Sequence, residues 1–391
     1  MQSDADRHCG WYVSQVMKSG SAPPFRHPVH ARGFASTGPA AGPVERLGHV
    51  DALRLLAAGL VVLQHLAESA GGRAGNALIA PGPGVMGVVL FFLISGYVIP
   101  FSVRSGLEWR SFALRRLFRI YPLFLASLAL VALGGGAGLL VRWADLAQAG
   151  PCRWAANLLL VEDYLGVEPI LGVSWTLSIE LGWYALFAAA LLRWKSRAAG
   201  RLALLVPAAL VAMALVSLTS GTRIPLGRPG LIHAAVLGWQ VLRWQRGELS
   251  RRALAANAAL FLAVTWFCAV VAFGVFRHQK ITLLQVLVPW TGASALFLAA
   301  TCIAPLRESR LLSAGALPVF GAASYSVYLL HPVAAAAAAQ YAPDAFPAAA
   351  LALTAVLAFA GYRWVELPGI ALGRRLATPL KGHTASGGLA A

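Results

Sequence analysis

From Leu47 onward the chain repeats one pattern: a run of apolar residues, then a short link rich in arginine or in glycine and proline. Each run is about 20 residues long, which is what an α-helix needs to cross the hydrocarbon core of a bilayer. The pattern predicts ten such helices, near 50–70, 82–103, 120–141, 173–192, 202–219, 227–242, 253–276, 282–304, 316–341 and 345–366. The expected fold class is therefore all-α, a polytopic membrane protein. The sixth run is the weakest, because Arg228, His233 and Gln240 interrupt it. The stretch 155–172 is apolar but holds Glu162, Asp163, Glu168 and Pro169, and it reads as a re-entrant or interfacial segment.

Residues 1–46 carry Pro, Gly, Ser, His and Arg without an apolar run. They read as a disordered N-terminal tail rather than a secretory signal peptide, with Met17 as an alternative start. Residues 377–391 read as a flexible C-terminal tail, which leaves 47–376 as the membrane domain.

Composition narrows the picture. The chain is 58% hydrophobic and 12% charged, against roughly 45–50% and about 25% in ordinary soluble domains. That excludes a disordered protein, a nucleic-acid arm and most soluble enzymes. The formal net charge is +17. With the N-terminus placed inside, the cytoplasmic links hold 18 of the 32 Lys and Arg residues and the outer links hold 7. Such a bias sets orientation, with both ends in the cytoplasm for an even number of spans, and it makes a nucleic-acid partner unnecessary. Cys9, Cys152, Cys268 and Cys302 are scattered, so no disulfide framework or metal site is expected.

Ionisable residues inside membrane helices are costly and mark functional cavities. The first run holds Asp51, Arg54, His65 and Glu68. Arg54 and His65 are eleven residues apart, on one face and separated by roughly 16 Å along the axis. Glu68 lies one turn beyond His65. Glu180 sits about two turns inside the fourth run, and Ser324, Tyr325, Tyr328 and His331 make a polar stripe on the ninth. His65, Glu180 and His331 are expected at one depth, about 20 Å above the inner surface. Arg116 and Arg119, in the link after the second run, project together if the third helix begins there. Guanidinium pairs hold phosphates bidentately, so a phosphate-bearing donor from the cytoplasm meets them first. Plainer readings stand beside these. Arg54 snorkels to headgroups, the link arginines only anchor, and His65 and the tyrosines only pack. Glu68 reaches the outer interface, and Asp145, Glu162, Asp163 and Glu168 are solvated.

Six segments, in order, resemble the acyltransferase-3 family of bacterial multi-pass membrane O-acyltransferases. "RLGHVDALRLLAAGLVVLQHLAE" (46–68) is similar to its opening, with Arg54 and His65 in place. "GVVLFFLISGYVIP" (87–100) resembles its second-helix signature, and "RRLFRIYP" (115–122) its Arg-x-x-Arg element through Arg116 and Arg119. "SWTLSIELGWY" (174–184) matches a Trp-x-Leu-x-x-Glu element through Trp175, Leu177 and Glu180. "ASYSVYLLHP" (323–332) and "VELP" (365–368) resemble its two C-terminal signatures.

The resemblance implies transfer of an acyl group, commonly acetyl, from cytoplasmic acyl-CoA (acetyl-CoA) to a hydroxyl of a glycan or a glycosylated small molecule. Relatives act on lipopolysaccharide, exopolysaccharide or macrolide sugars. It also implies a bacterial inner-membrane location, a lipid bilayer as surroundings and no metal. No soluble hydrolase-like segment, which some relatives carry, follows residue 376 here, so transfer is expected to finish within the membrane domain. Joined to the residue pattern, the expected catalytic set is His65, Glu180 and Arg54. Arg116, Arg119 and Arg54 are expected to hold the donor, and Trp175, Tyr325, Tyr328 and His331 to line the acceptor side. An imidazole with an ordinary pKa of about 6.5 accepts and returns a proton near neutrality. Either Glu180 or Glu68 is expected to orient the His65 ring. A general-base mechanism and a transient acyl-histidine both fit. The competing class is a secondary transporter or a lipid-linked glycan flippase, although the paired repeats and broken helices common there are not seen.

Overall fold

Lipid offers no hydrogen bonds, so a membrane segment must satisfy its own backbone groups, and this chain does so with helices. The computed structural model describes residues 47–103, 108–276, 281–309 and 317–378. The expected tails, 1–46 and nearly all of 377–391, lie outside the described residues, as do Arg104, Arg277, Lys280, Arg310 and Lys381 from the charge count. Among the described residues there is no strand, and ten helices run for 16 residues or more. They are α1 (Gly48–Ala70), α2 (Pro83–Val98), α3 (Trp109–Gly136), α4 (Trp175–Trp194), α5 (Ala198–Ser220), α6 (Gly227–Gln245), α7 (Arg251–Ala269), α8 (Leu284–Cys302), α9 (Ser324–Tyr341) and α10 (Phe346–Gly361).

Seven stretches of the described chain are long and apolar enough to cross a membrane: Gly48–Ala70, Gly72–Phe101, Trp109–Gly136, Trp175–Ser220, Arg251–Val275, Leu284–Cys302 and Pro343–Ala377. The protein is a multi-pass membrane protein. The all-α expectation holds, and seven of the stretches in which ten spans were expected meet the length and hydropathy of a span. Trp175–Ser220 contains two helices, parted where Lys195 takes φ 50°. Neither α6 nor α9 is among the seven, and burial is the reason. In α6, Gly230, Leu231 and every residue from His233 to Leu242 are buried. A helix wrapped by protein does not need a lipid-soluble surface, so it tolerates His233 and Gln240.

Small residues bring the helices this close. Gly96 of α2 lies against the carbonyl oxygen of Ala235, and Gly238 of α6 against that of Leu93. On its other side α2 presses Gly87 onto the carbonyl oxygen of Ala57 in α1. A methyl group at any of the three collides with backbone, which cannot swing aside. The helix carrying the second-run signature is thus clasped between α1 and α6.

Two departures from the hydropathy reading govern the site. First, α3 begins at Trp109 rather than near 120, so Arg110, Arg115, Arg116 and Arg119 are helical and not in a link. Second, α4 starts beneath a cap formed by residues 141–173, with 3₁₀ turns at Val141–Gln148 and short helices at Pro151–Leu158 and Glu162–Leu165. Asn157 ties the cap, donating to the carbonyls of Arg153 (2.9 Å) and Glu168 (3.1 Å) and accepting from Ile170 N at 2.7 Å. Trp143 Nε1 adds a bond to the Ile170 carbonyl. Leu171 and Ser174 are fully buried beneath it. Two residues expected to be solvated are not. Glu162 is fully buried and accepts from Ser174 Oγ at 2.7 Å. Asp163 is paired with Arg228 at 2.6 Å. Nearby, Tyr164 donates to the Ser178 carbonyl at 3.1 Å, and burial raises its phenol above the ordinary tyrosine range.

Candidate active site

Helices α1, α2, α3, α4 and α9 enclose a chamber of about 120 Å³ lined by Arg54, Arg116, Arg119, Glu180, Tyr184 and Tyr325, among others. Charge is unevenly satisfied in it. Arg54 Nη1 donates to Asp51 Oδ1 at 3.2 Å, one turn back along α1. Arg119 is paired with Glu366, whose second oxygen accepts from Ser326 Oγ at 2.6 Å. Glu366 reaches Arg119 because the chain after α10 makes a π-helical turn over Tyr362–Glu366 before a final helix, Leu367–Ala377, runs back along α3. Arg116 differs. Its guanidinium lies 5.5 Å from the rings of both Phe112 and Tyr184, and its buried Nε has no hydrogen-bond partner. Glu180 accepts from Tyr184 Oη and, at 3.5 Å, from Ser95 Oγ. An anion entering this chamber finds Arg116 available, with two further guanidiniums nearby that already hold carboxylates.

A second and larger cavity, about 480 Å³, lies between α1, α2, α6 and α8. His65 projects into it, with Gln64 and Glu68 on the same helix. Gln64 donates to Glu68 Oε1 at 2.6 Å and accepts from Gly84 N at 2.9 Å. The His65 ring has a different partner. Its Nδ1 lies 2.8 Å from Nε2 of His331, with the rings stacked at 5.0 Å. His331 is fully buried, and its Nδ1 faces the carbonyl oxygens of Tyr328 at 2.7 Å and Val327 at 3.3 Å.

Those contacts fix the protons. A carbonyl only accepts, so Nδ1 of His331 carries the hydrogen. Its Nε2 is then the acceptor when the ring is neutral. His65 must donate from Nδ1, which leaves Nε2 of His65 with a bare lone pair. Among the described residues that atom has no hydrogen-bond partner.

The two cavities abut. Val88 and Tyr328 line both, and Tyr328 is held there by Thr176 Oγ1 (2.7 Å) and the Val173 carbonyl (3.1 Å). The predicted residues divide accordingly. Arg54, Arg116, Arg119, Glu180 and Tyr325 meet at the arginine chamber, and His65 and Trp175 at the histidine cavity. Several expectations are corrected. Glu180 does not orient His65: it shares a cavity with Arg54 and accepts from Tyr184 and Ser95 instead. Glu68 is not the ring's partner either, since His331 is. His331 lines neither cavity and lies behind His65 instead. Tyr325 faces the arginine chamber, with Arg119 5.5 Å from its ring and its hydroxyl on the Ile120 carbonyl.

Glu366 was missed as a functional residue, though it stands in the "VELP" segment and is an acid inside an apolar stretch. Phe273 and Trp290 of the histidine cavity carried no sequence signal, whereas Arg223 lies in the link 220–229, whose position alone suggested a part in acceptor choice. Phe273 and the Ala272 carbonyl, which accepts from Arg223 Nε at 2.9 Å, sit in a second π-helical turn, Val270–Val275, and nothing in residue spacing announces it.

The acyltransferase domain pattern matches residues 47–362. Acyltransferase MdmB of Streptomyces mycarofaciens is 31% identical over 155 residues, covering 37% of this chain and 39% of that protein. Exopolysaccharide production protein ExoZ of Rhizobium meliloti (strain 1021) is 27% identical over 321 residues, covering 77% of this chain and 95% of that protein. No solved structure matches the chain. The matched pattern runs through all ten long helices and takes in every residue that lines either cavity, and the chain belongs to the acyltransferase-3 family of enzymes that transfer acyl groups other than aminoacyl groups.

Proposed function

We propose that this protein is an acyl-CoA-dependent O-acyltransferase of the bacterial inner membrane. It moves an acyl group, acetyl in the simplest case, from a cytoplasmic donor to a hydroxyl of a glycan or glycosylated small molecule. One observation carries the reading: Val88 and Tyr328 line both cavities, so a cationic site and a free imidazole nitrogen stand back to back. The name of ExoZ adds an exopolysaccharide to the acceptors worth testing. All ten long helices cross the bilayer in this reading, with both ends in the cytoplasm as the arginine-rich links favour.

The donor's residues follow from charge. Arg116, with Arg54 and Arg119 beside it, draws the phosphate-bearing donor to the chamber. At about 120 Å³ the chamber suits the slender thioester arm, and the nucleotide stays at the mouth. Tyr328 and Trp175 face the acceptor. His65 Nε2 takes the hydrogen of the acceptor hydroxyl as the oxygen bonds to the thioester carbonyl carbon. The resulting imidazolium is held by its Nδ1–H bond to His331 Nε2, and His331 is held in turn by the Tyr328 carbonyl. The carbon–sulfur bond then breaks, and the thiolate recovers the proton from His65. A buried neutral acceptor behind the base does the orienting work that a carboxylate does in a catalytic triad. In the acyl-histidine variant His65 Nε2 itself accepts the acyl group first, and the same proton arrangement leaves that lone pair available.

The test uses membranes containing the full chain, radiolabelled acetyl-CoA and a panel of glycosides and exopolysaccharide fragments. The expected result is label on an alcohol, lost in His65→Ala. A transporter or flippase moves material and attaches no label, and that outcome would overturn the proposal.

A further inference from the structure

The histidine cavity is unlike a sugar-binding site, and the difference bears on the acceptor. Its wall away from α1 is largely apolar, with Val85, Val89, Leu231, Phe273, Val286 and Trp290, and is broken by Arg223 and Arg228. Two residues at its edge, Val85 and Ile281, are 37% and 39% exposed, so the apolar lining continues to the mouth. The polar side chains are few and mostly engaged by the protein itself. Gln64 is bonded to Glu68 and to Gly84 N. Tyr328 is bonded to Thr176 and Val173. Arg228 is bonded to Asp163 and lies 5.9 Å from the Trp175 ring. Arg223 donates to the Ala272 carbonyl, 4.9 Å from the Phe273 ring. His65 Nε2 is open to a guest, and Glu68, Arg223 and Arg228 bring charge to the rim of an otherwise apolar lining.

We infer that the acceptor this cavity fits is an amphipathic alcohol: an apolar scaffold carrying its reacting hydroxyl at one edge, rather than a hydrated polysaccharide chain. The inference rests on the reading of His65 as the base on the acceptor side. A cavity of about 480 Å³ is the size that takes a drug-sized guest. A carbohydrate filling it brings many hydroxyls, and each one stripped of water without a partner weakens binding by about tenfold. Apolar surface filling it gains instead, in proportion to the area removed from water.

The experiment uses the full chain in lipid nanodiscs and a matched series: methyl, phenyl and 2-naphthyl β-glucoside, with maltotriose as the hydrated comparison. Binding is read first, without donor. The naphthyl glucoside is expected to bind at least about tenfold more tightly than the methyl glucoside, with maltotriose weakest. Val85→Asn and Leu231→Asn, at an exposed and a buried wall position, are expected to flatten the series, which separates the cavity from partition into lipid. Maltotriose binding as tightly as the naphthyl glucoside, or a series unchanged in both variants, overturns the inference. Transfer of label from acetyl-CoA is read second. Its absence from every alcohol counts against the acyltransferase reading and leaves the order of binding affinities, and what it says of the cavity, unchanged.

Discussion

Nδ1 of His65 and Nε2 of His331 meet at 2.8 Å, although 266 residues separate them in the chain. The pair makes His331 a positioning residue. Replacing His65 with Ala is expected to lower kcat by about 100- to 10,000-fold, the range for loss of a general base. His331→Asn should lower kcat by about 100-fold or more through a misplaced proton on His65, with little change in KM for acyl-CoA. Steady-state kinetics on purified protein checks both. A rise in KM with kcat intact would assign His331 to substrate binding instead.

Glu180 belongs to the arginine chamber, so its loss should be felt by the donor. Glu180→Gln removes a negative charge from a chamber that draws an anion, so it is expected to lower KM for acyl-CoA while kcat falls far less than in His65→Ala. Equal collapse of kcat in the two variants would mean that Glu180 serves the imidazole after all.

The Arg119–Glu366 pair predicts an asymmetry in stability. The Glu366 side chain is fully buried, and removing one partner of a buried pair strands the other charge, at about 3–5 kcal/mol. Glu366→Ala and Arg119→Ala should each lower Tm strongly, and the double variant should lose much less than the sum. Thermal denaturation of the four proteins in one detergent checks the cycle.

Helix packing gives a prediction independent of chemistry. Gly96→Ala and Gly238→Ala each place a methyl group against backbone of the neighbouring helix. Overpacking of this kind costs about 1–3 kcal/mol or more, so both should lower yield and Tm. Gly59→Ala, where a methyl group meets nothing within 4 Å, should fold normally.

Tyr328 divides the two cavities, so shortening it should join them. Tyr328→Ala is expected to speed hydrolysis of the thioester by water relative to transfer, whereas Tyr328→Phe keeps the barrier and loses only the bonds to Thr176 and Val173. The ratio of free acid to acylated alcohol measures this.

The helices were largely legible in the sequence, since each long helix overlaps one of the apolar runs. What hydropathy could not place was charge that protein, rather than lipid, surrounds. The arginines hid the first three turns of α3, because a chamber-lining guanidinium and a loop guanidinium look alike in composition. Arg54, His65 and the Arg116–Arg119 spacing were readable because they lie on single helices, where 3.6 residues per turn fixes the face. Glu180 was misplaced for a different reason: its height was counted along one helix, whereas the cavity it enters depends on which helices stand beside α4. The His65–His331 pair needed the lateral order of helices, which no spacing along one helix contains. Both π-helical turns escaped as well, since an extra residue in one turn leaves the apolar pattern intact.

The shared wall at Val88 and Tyr328 has a further benefit for the cell. On the proposed reading, a reagent soluble in water and a guest that prefers oil are brought within reach of one another from opposite faces, with no continuous aqueous pore between them. The proton and ion gradients that the membrane maintains would then survive each turnover.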